Sequence, residues 1–171
     1  MMTAKREDVS RGGAENAEGK GCCDKSGESD LSHVEDAEVA HFNELTSKII
    51  GCAIRVHREL GPGLLESVYS RCLTLELRNS GFEVVAEVPV PVRYLGQSVA
   101  DDGFRIDLLV NGEVVLELKS VEELKPVHKK QLLTYLRLSR KKVGLLINFN
   151  EPLLCHGIVR IVNGLDDKTN P

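Results

Sequence analysis

From residue 43 onward, apolar positions recur with two periods. Leu45, Ile49, Cys52, Val56 and Leu60 return every three or four residues, which places them on one side of a helix over 44–60. Gly61-Pro62-Gly63 ends that helix. Leu65, Val68, Cys72, Leu75 and Leu77 predict a second helix over about 64–79, closed by Ser80-Gly81. The stretch EVVAEVPVPVRYLG, 83–96, is β-branched and alternating, but Pro89 and Pro91 each lack a ladder donor, so it reads as an edge or irregular strand. Strands follow over about 103–110 and 113–119. Pro126 suits the first turn of a third helix running to about Ser139. VGLLINF, 143–149, is apolar throughout, as befits a strand covered on both faces, and 153–163 adds another. The order ααβββαββ predicts an α/β (α+β) domain, a mixed β-sheet with flanking helices.

Before residue 44 the pattern is absent. Residues 1 to about 30 are rich in Gly, Ser, Glu, Asp and Lys and hold almost no large apolar residue, too little to offset the entropy of ordering them. We divide the chain into a disordered acidic leader, 1–43, a folded domain, 44–165, and a tail, 166–171. Residues 32–44 offer a backward continuation of the first helix. Charge follows the same division. Residues 1–44 carry 5 Lys/Arg against 11 Asp/Glu, and residues 45–171 carry 17 against 15, so the acidity belongs to the leader and the body is mildly basic. No apolar run reaches the ~20 residues of a membrane span. The N-terminus has no secretory h-region, which points to a cytoplasmic setting. The five cysteines show no C-x-x-C spacing, and Cys155-His156 lacks the partners of a zinc site.

One hairpin breaks the apolar rule. DLLVNGEVVLELK, 107–119, carries Asp107, Glu117 and Lys119 inside its strands. A two-residue loop at Asn111-Gly112 would mix apolar and charged residues on one face. A three-residue loop, 111–113, pairs Val110 with Val114 and sets Asp107 opposite Glu117. One face then holds Phe104, Ile106, Leu108, Val110, Val114, Leu116 and Leu118, and the other holds Arg105, Asp107, Leu109, Val115, Glu117 and Lys119. Burial selects the register that sorts residues in this way. Opposed carboxylates about 5 Å apart repel unless a proton or cation joins them, and hard oxygen donors suit Mg²⁺. The plainer alternative is a solvent-facing strand with an ordinary Glu-Lys pair.

Asp107-x(9)-Glu117-x-Lys119 in a hairpin followed by a helix resembles the PD-(D/E)xK nuclease superfamily, although Ile106 stands where the motif has proline. Gly63-Leu-Leu-Glu66-Ser-Val-Tyr69 matches the G-x-x-E-x-x-Y pattern of its GxxExxY family. The similarity extends through VHRELGPGLLESVY, DLLV, ELKSVEEL, QLLTYL and VGLLINF, over about 45–150. Gln131-Leu-Leu-Thr-Tyr135 is similar to the Q-x-x-x-Y helix of exonuclease-like members. The resemblance implies a restriction-endonuclease-like fold and Mg²⁺- or Mn²⁺-dependent phosphodiester hydrolysis, on DNA rather than RNA. It implies Asp107, Glu117 and Glu66 as metal ligands, Lys119 as the residue that positions water and stabilises charge, and Gln131 as an aid in placing substrate or water.

Each residue also has a structural role open to it. Glu66 suits a helix N-terminus, Tyr69 can bond Glu66 or simply pack, and Gln131 and Tyr135 can serve helix–sheet packing. His57 suits the end of its helix as a cation, with metal ligation as the alternative. Between Lys125 and Lys142 there are seven Lys/Arg and no acid. Lys125, Lys129, Lys130, Arg137, Lys141 and Lys142, with Tyr135, are the predicted nucleic-acid contacts, of the salt-sensitive, sequence-independent kind. A second function class stays open: a non-catalytic module of the same fold that binds nucleic acid or protein. The intact set of Glu66, Asp107, Glu117, Lys119 and Gln131 argues against it.

Overall fold

A computed structural model describes residues 28–165, without the side chains of 28–35 and 101–103. Most of the leader and the tail lie outside the described residues. The helix predicted from residue 44 is longer. α1 spans Glu28–Leu60, so the boundary drawn at 43/44 falls inside it. The apolar period continues backwards through Phe42, which is buried in the core with Leu45, Ile49, Cys52 and Val56. Exposed pairs hold this early part of the helix to the body, His41 to Glu113 and Lys142 to Glu38, both at 2.6 Å.

α2 spans Glu66–Asn79, and its buried face differs from the expected one. Tyr69, Leu73 and Leu77 are fully buried, whereas Leu65 is 74% and Leu75 62% exposed. Apolar residues occupy two stripes of this helix, and periodicity alone does not say which one meets the core. Tyr69 decides it by stacking on Phe149, with ring centroids 4.4 Å apart.

The sheet has five strands in the order β1-β2-β3-β4-β5. They are β1 Val84–Tyr94, β2 Gln97–Val110, β3 Val114–Lys119, β4 Val143–Asn148 and β5 Ile158–Val162. α3, Pro126–Ser139, links β3 to its parallel neighbour β4, so the helix runs back from the C-terminal end of that strand pair to the N-terminal end. β1 is an edge strand with register shifts between Val90 and Arg93, as its prolines require. β4 is buried at every residue. Leu108, Val110, Val114, Leu116, Leu118, Val143, Leu145 and Ile147 pack under α1 and α2. Val115 and Leu146 pack under Leu132, Tyr135 and Leu136 of α3.

The predicted hairpin register is the observed one where the strands pair: Val110 with Val114, Leu109 with Val115, Leu108 with Leu116. Pairing then stops. The Leu118 N–H, which continued pairing would direct to the β2 backbone, donates to Asp107 Oδ2 at 2.7 Å instead. Across β2, Glu87 adopts φ +56°, a conformation that interrupts strand alternation. Beyond this point the β1–β2 ribbon changes sides. Val88, Val90 and Ile106 belong to the α3 layer, while Val84 and Leu108 belong to the other. Phe104 likewise meets Tyr135 of α3 edge-on at 5.9 Å. The expected single apolar face from Phe104 to Val110 is therefore split between two layers, with Asp107 at the crossover.

Candidate active site

The crossover sets the site. Where β2 and β3 part, Asp107 enters the fork as a backbone acceptor. Residues 115, 117 and 119 share one face of β3, so Glu117 and Lys119 project from the same side. Glu117 is 2% exposed. Its Oε1 accepts from Lys119 Nζ at 2.6 Å, and its Oε2 is buried with no hydrogen-bond partner. Glu66, half-buried at the start of α2, is near enough to act on the charges of all three.

The electrostatics follow from burial. Desolvation, and next the Asp107 charge, push the Glu117 carboxyl up to about 7, against the opposing bond from Lys119. Desolvation also raises Asp107, with the Leu118 N–H and Lys119 pulling the other way. Burial disfavours a charged Lys119, but the carboxylates of Glu117, Glu66 and Asp107 outweigh it and hold the ammonium above its ordinary range. The cluster thus sets one ammonium among three acidic side chains, whose negative field on Asp107 and Glu117 a further cation would relieve.

Among the described residues, no three His, Cys, Asp or Glu side chains are already grouped to hold a metal. The donor set still fits a hard divalent cation. Mg²⁺ commonly uses one or two carboxylates and completes its shell with water and substrate phosphate. Asp107 and Glu117 supply hard oxygens, one of them buried and unpaired.

The GxxExxY tyrosine has a different task from contacting Glu66. Tyr69 Oη donates to the Gly61 carbonyl at 2.5 Å and accepts from the Leu64 N–H at 3.2 Å. Ser120, directly after Lys119, donates its hydroxyl to the Leu64 carbonyl at 2.7 Å. The 61–65 loop that delivers Glu66 is thus fastened both to its own helix and to the end of β3. His57 is buried, and its Nε2 bonds the Glu151 carbonyl at 2.8 Å, which joins α1 to the segment after β4 rather than capping its own helix.

Asn148 has no part in the motif-based reading. It is fully buried, faces Lys119 across β3–β4, and clamps residue 121 in both directions: the Val121 N–H to Oδ1 at 3.0 Å, and Nδ2 to the Val121 carbonyl at 2.8 Å. This fixes the chain leaving the site. Its signal in the sequence is a lone amide closing an otherwise apolar strand. Gly157 is the matching requirement, because a Cβ there would lie 2.5 Å from the Asn148 carbonyl oxygen.

Gln131 Nε2 donates to Tyr135 Oη at 2.8 Å on the sheet side of α3. Tyr135 is buried and not available as a nucleic-acid contact. The basic stretch does not form one surface beside the site. Lys125, Lys129 and Lys130 are exposed on the N-terminal half of α3, at the Lys119 end of the sheet. Arg137 lies on the last turns of α3, about 10 Å along the helix from Lys130, Lys141 and Lys142 lie beyond its far end, and Lys142 is paired with Glu38.

The model of the PD-(D/E)XK nuclease superfamily matches residues 43–161. The chain belongs to that superfamily. No curated protein and no solved structure matches it. The superfamily's restriction-endonuclease-like architecture is the mixed sheet with flanking helices seen here. Asp107, Glu117 and Lys119 stand together at the β2–β3 fork, inside the matched span. Among the described residues, no helix is long and apolar enough to cross a membrane.

Proposed function

We propose that this protein is a metal-dependent nuclease that hydrolyses phosphodiester bonds in the cytoplasm, in DNA rather than RNA. One observation carries the reading: a carboxylate buried to 2% exposure, with one oxygen unpaired, beside a second, half-buried carboxylate and under a lysine. Such a cluster is costly unless it serves a charged ligand. The preference for DNA rests on the resemblance alone.

Asp107 and Glu117 would hold Mg²⁺ or Mn²⁺, with Glu66 beside them on the loop braced by Tyr69 and Ser120. The ion, when bound, lowers the pKa of water and offsets charge on phosphoryl oxygens. Lys119, held at 2.6 Å by Glu117, orients the attacking water and stabilises negative charge as it develops on the phosphate. Gln131 belongs to the α3 face and helps place substrate.

The test is purified protein with Mg²⁺ or Mn²⁺ on linear, nicked and single-stranded DNA and on RNA of the same sequence. Cleavage of DNA is expected, lost in EDTA and in Asp107→Ala with the fold verified by thermal melting. Activity that survives both treatments would remove this site from the chemistry.

A further inference from the structure

α2 carries a third stripe, neither core nor exposed apolar. Ser67, Ser70, Arg71, Thr74 and Arg78 follow helical spacing down one side. They form a wall of a cleft of about 560 Å³, with Ala86 and Glu87 of the β1–β2 ribbon opposite, and both Glu66 and Asp107 open into it. The cleft follows α2 from Glu66 to Arg78, about 18 Å at 1.5 Å per residue.

The charges are ordered along it. Glu66 and Asp107 mark the catalytic end. Glu87 is neutralised by Arg105 at 2.8 Å. Arg71 is exposed. Arg78 commits Nη2 to the Val84 carbonyl at 2.8 Å, and a guanidinium has further donors to offer. Ser67 and Ser70 add short-range hydroxyl donors, while Thr74 gives its own to the Ser70 carbonyl at 2.7 Å. Guanidinium and hydroxyl groups with no aromatic in the lining suit phosphate and sugar rather than stacked bases.

We propose that this cleft binds a nucleic-acid strand by its backbone, with Arg71 as the principal phosphate contact, and leads a phosphodiester to Glu66 and Asp107. The delivery step rests on the nuclease reading; the binding does not. It assigns substrate affinity to α2 rather than to the exposed lysines of α3.

The experiment measures anisotropy of a short fluorescein-labelled oligodeoxynucleotide with the full chain in Ca²⁺ over a NaCl series, the probe being shown intact on a gel. Wild type is expected to bind the single strand with an affinity that falls as NaCl rises. Arg71→Gln should weaken single-strand binding about tenfold and make the salt slope shallower by about 0.7, the value for one phosphate on a single strand. Arg71→Lys should recover most of the affinity, and Lys129→Gln should change it less than Arg71→Gln does. The inference is overturned by absence of binding or by an Arg71→Gln slope equal to wild type. Binding through Arg71 in a protein that cuts nothing keeps this inference and loses the nuclease reading. Cutting that is indifferent to Arg71→Gln does the reverse.

Discussion

Two ion pairs of the same make stand at opposite ends of the parallel β3–β4 pair. Lys119 meets Glu117 at 2.6 Å, and Lys142 meets Glu38 at 2.6 Å. Their surroundings differ. The first pair's side chains are 14% and 2% exposed, the second's 45% and 37%. Water and salt screen the second, which leaves it worth under about 1 kcal/mol. The first has lost its hydration, and the loss shows in a Glu117 carboxyl pushed up to about 7. A buried pair of this kind is poor evidence of stabilisation. Contact distance therefore does not distinguish a site from a surface bridge. Desolvation, together with an acceptor left without a donor, does.

The largest expected effect separates the two lysines directly. On the proposed nuclease reading, Lys119→Ala removes a charge meant for the reacting phosphate from a low-dielectric setting. It should lower kcat by about 100- to 1000-fold, the range for losing one preorganised electrostatic donor. Lys142→Ala should leave kcat within about twofold, since it breaks only a screened pair. Steady-state cleavage rates of the two variants, side by side, decide it. Equal losses would erase the distinction between the two ends.

Next comes the stability cost of Glu117. Its carboxyl titrates near 7 folded against 4.5 as a free group. A raised carboxyl pKa favours the folded state fully below pH 4.5, and that contribution is lost as pH rises through 7. In EDTA, Glu117→Gln should therefore melt above wild type at pH 8, by up to about 3 kcal/mol as an upper bound, and the gap should close by pH 4.5. Mg²⁺ should narrow the gap at pH 8 by stabilising wild type alone. Thermal melts at the two pH values, each with and without Mg²⁺, measure this. A variant less stable than wild type at pH 8 in EDTA would mean the pair is a net stabiliser.

How much of this was legible in the sequence depended on whether burial or a remote contact decided the matter. The Val110–Val114 register was readable because a slip by one residue would have put charges in the core. α3 was readable from Pro126 and its spacing, and β4 from its unbroken apolar run. The swing of Val88, Val90 and Ile106 to the α3 layer was not, because it depends on the backbone of Glu87 and on Asp107 reaching the Leu118 N–H. α2 shows two apolar stripes, and only the stacking of Tyr69 on Phe149 chooses between them. The basic stretch looked continuous because sequence hides the length of a crossover helix, which carries its two ends to opposite ends of the β3–β4 pair.

Tyr69 sharpens the buried end further. Its hydroxyl makes two bonds to the loop before Glu66, and the residue is fully buried. Tyr69→Phe keeps the stacked ring and leaves the Gly61 carbonyl and the Leu64 N–H without that partner. The expected cost is about 1–3 kcal/mol, read from urea unfolding. If the hydroxyl also positions Glu66, cleavage should fall in this variant under conditions where it is fully folded. A loss of stability with unchanged cleavage would confine Tyr69 to structure.

The smallest effect belongs to the exposed end. A double-mutant cycle on Lys142 and Glu38 isolates their coupling from whatever else each residue does. Half-exposed side chains in water should give under about 1 kcal/mol, and 1 M salt, with a Debye length of about 3 Å, should abolish most of it. The same salt should leave the Glu117→Gln difference at pH 8 nearly intact, because that difference arises from removing hydration, which mobile ions outside the fold do not restore. If both ends responded alike to salt, Glu117 would have to be far better solvated than its 2% exposure implies, and the case for a cation-seeking cluster at the β2–β3 fork would weaken with it.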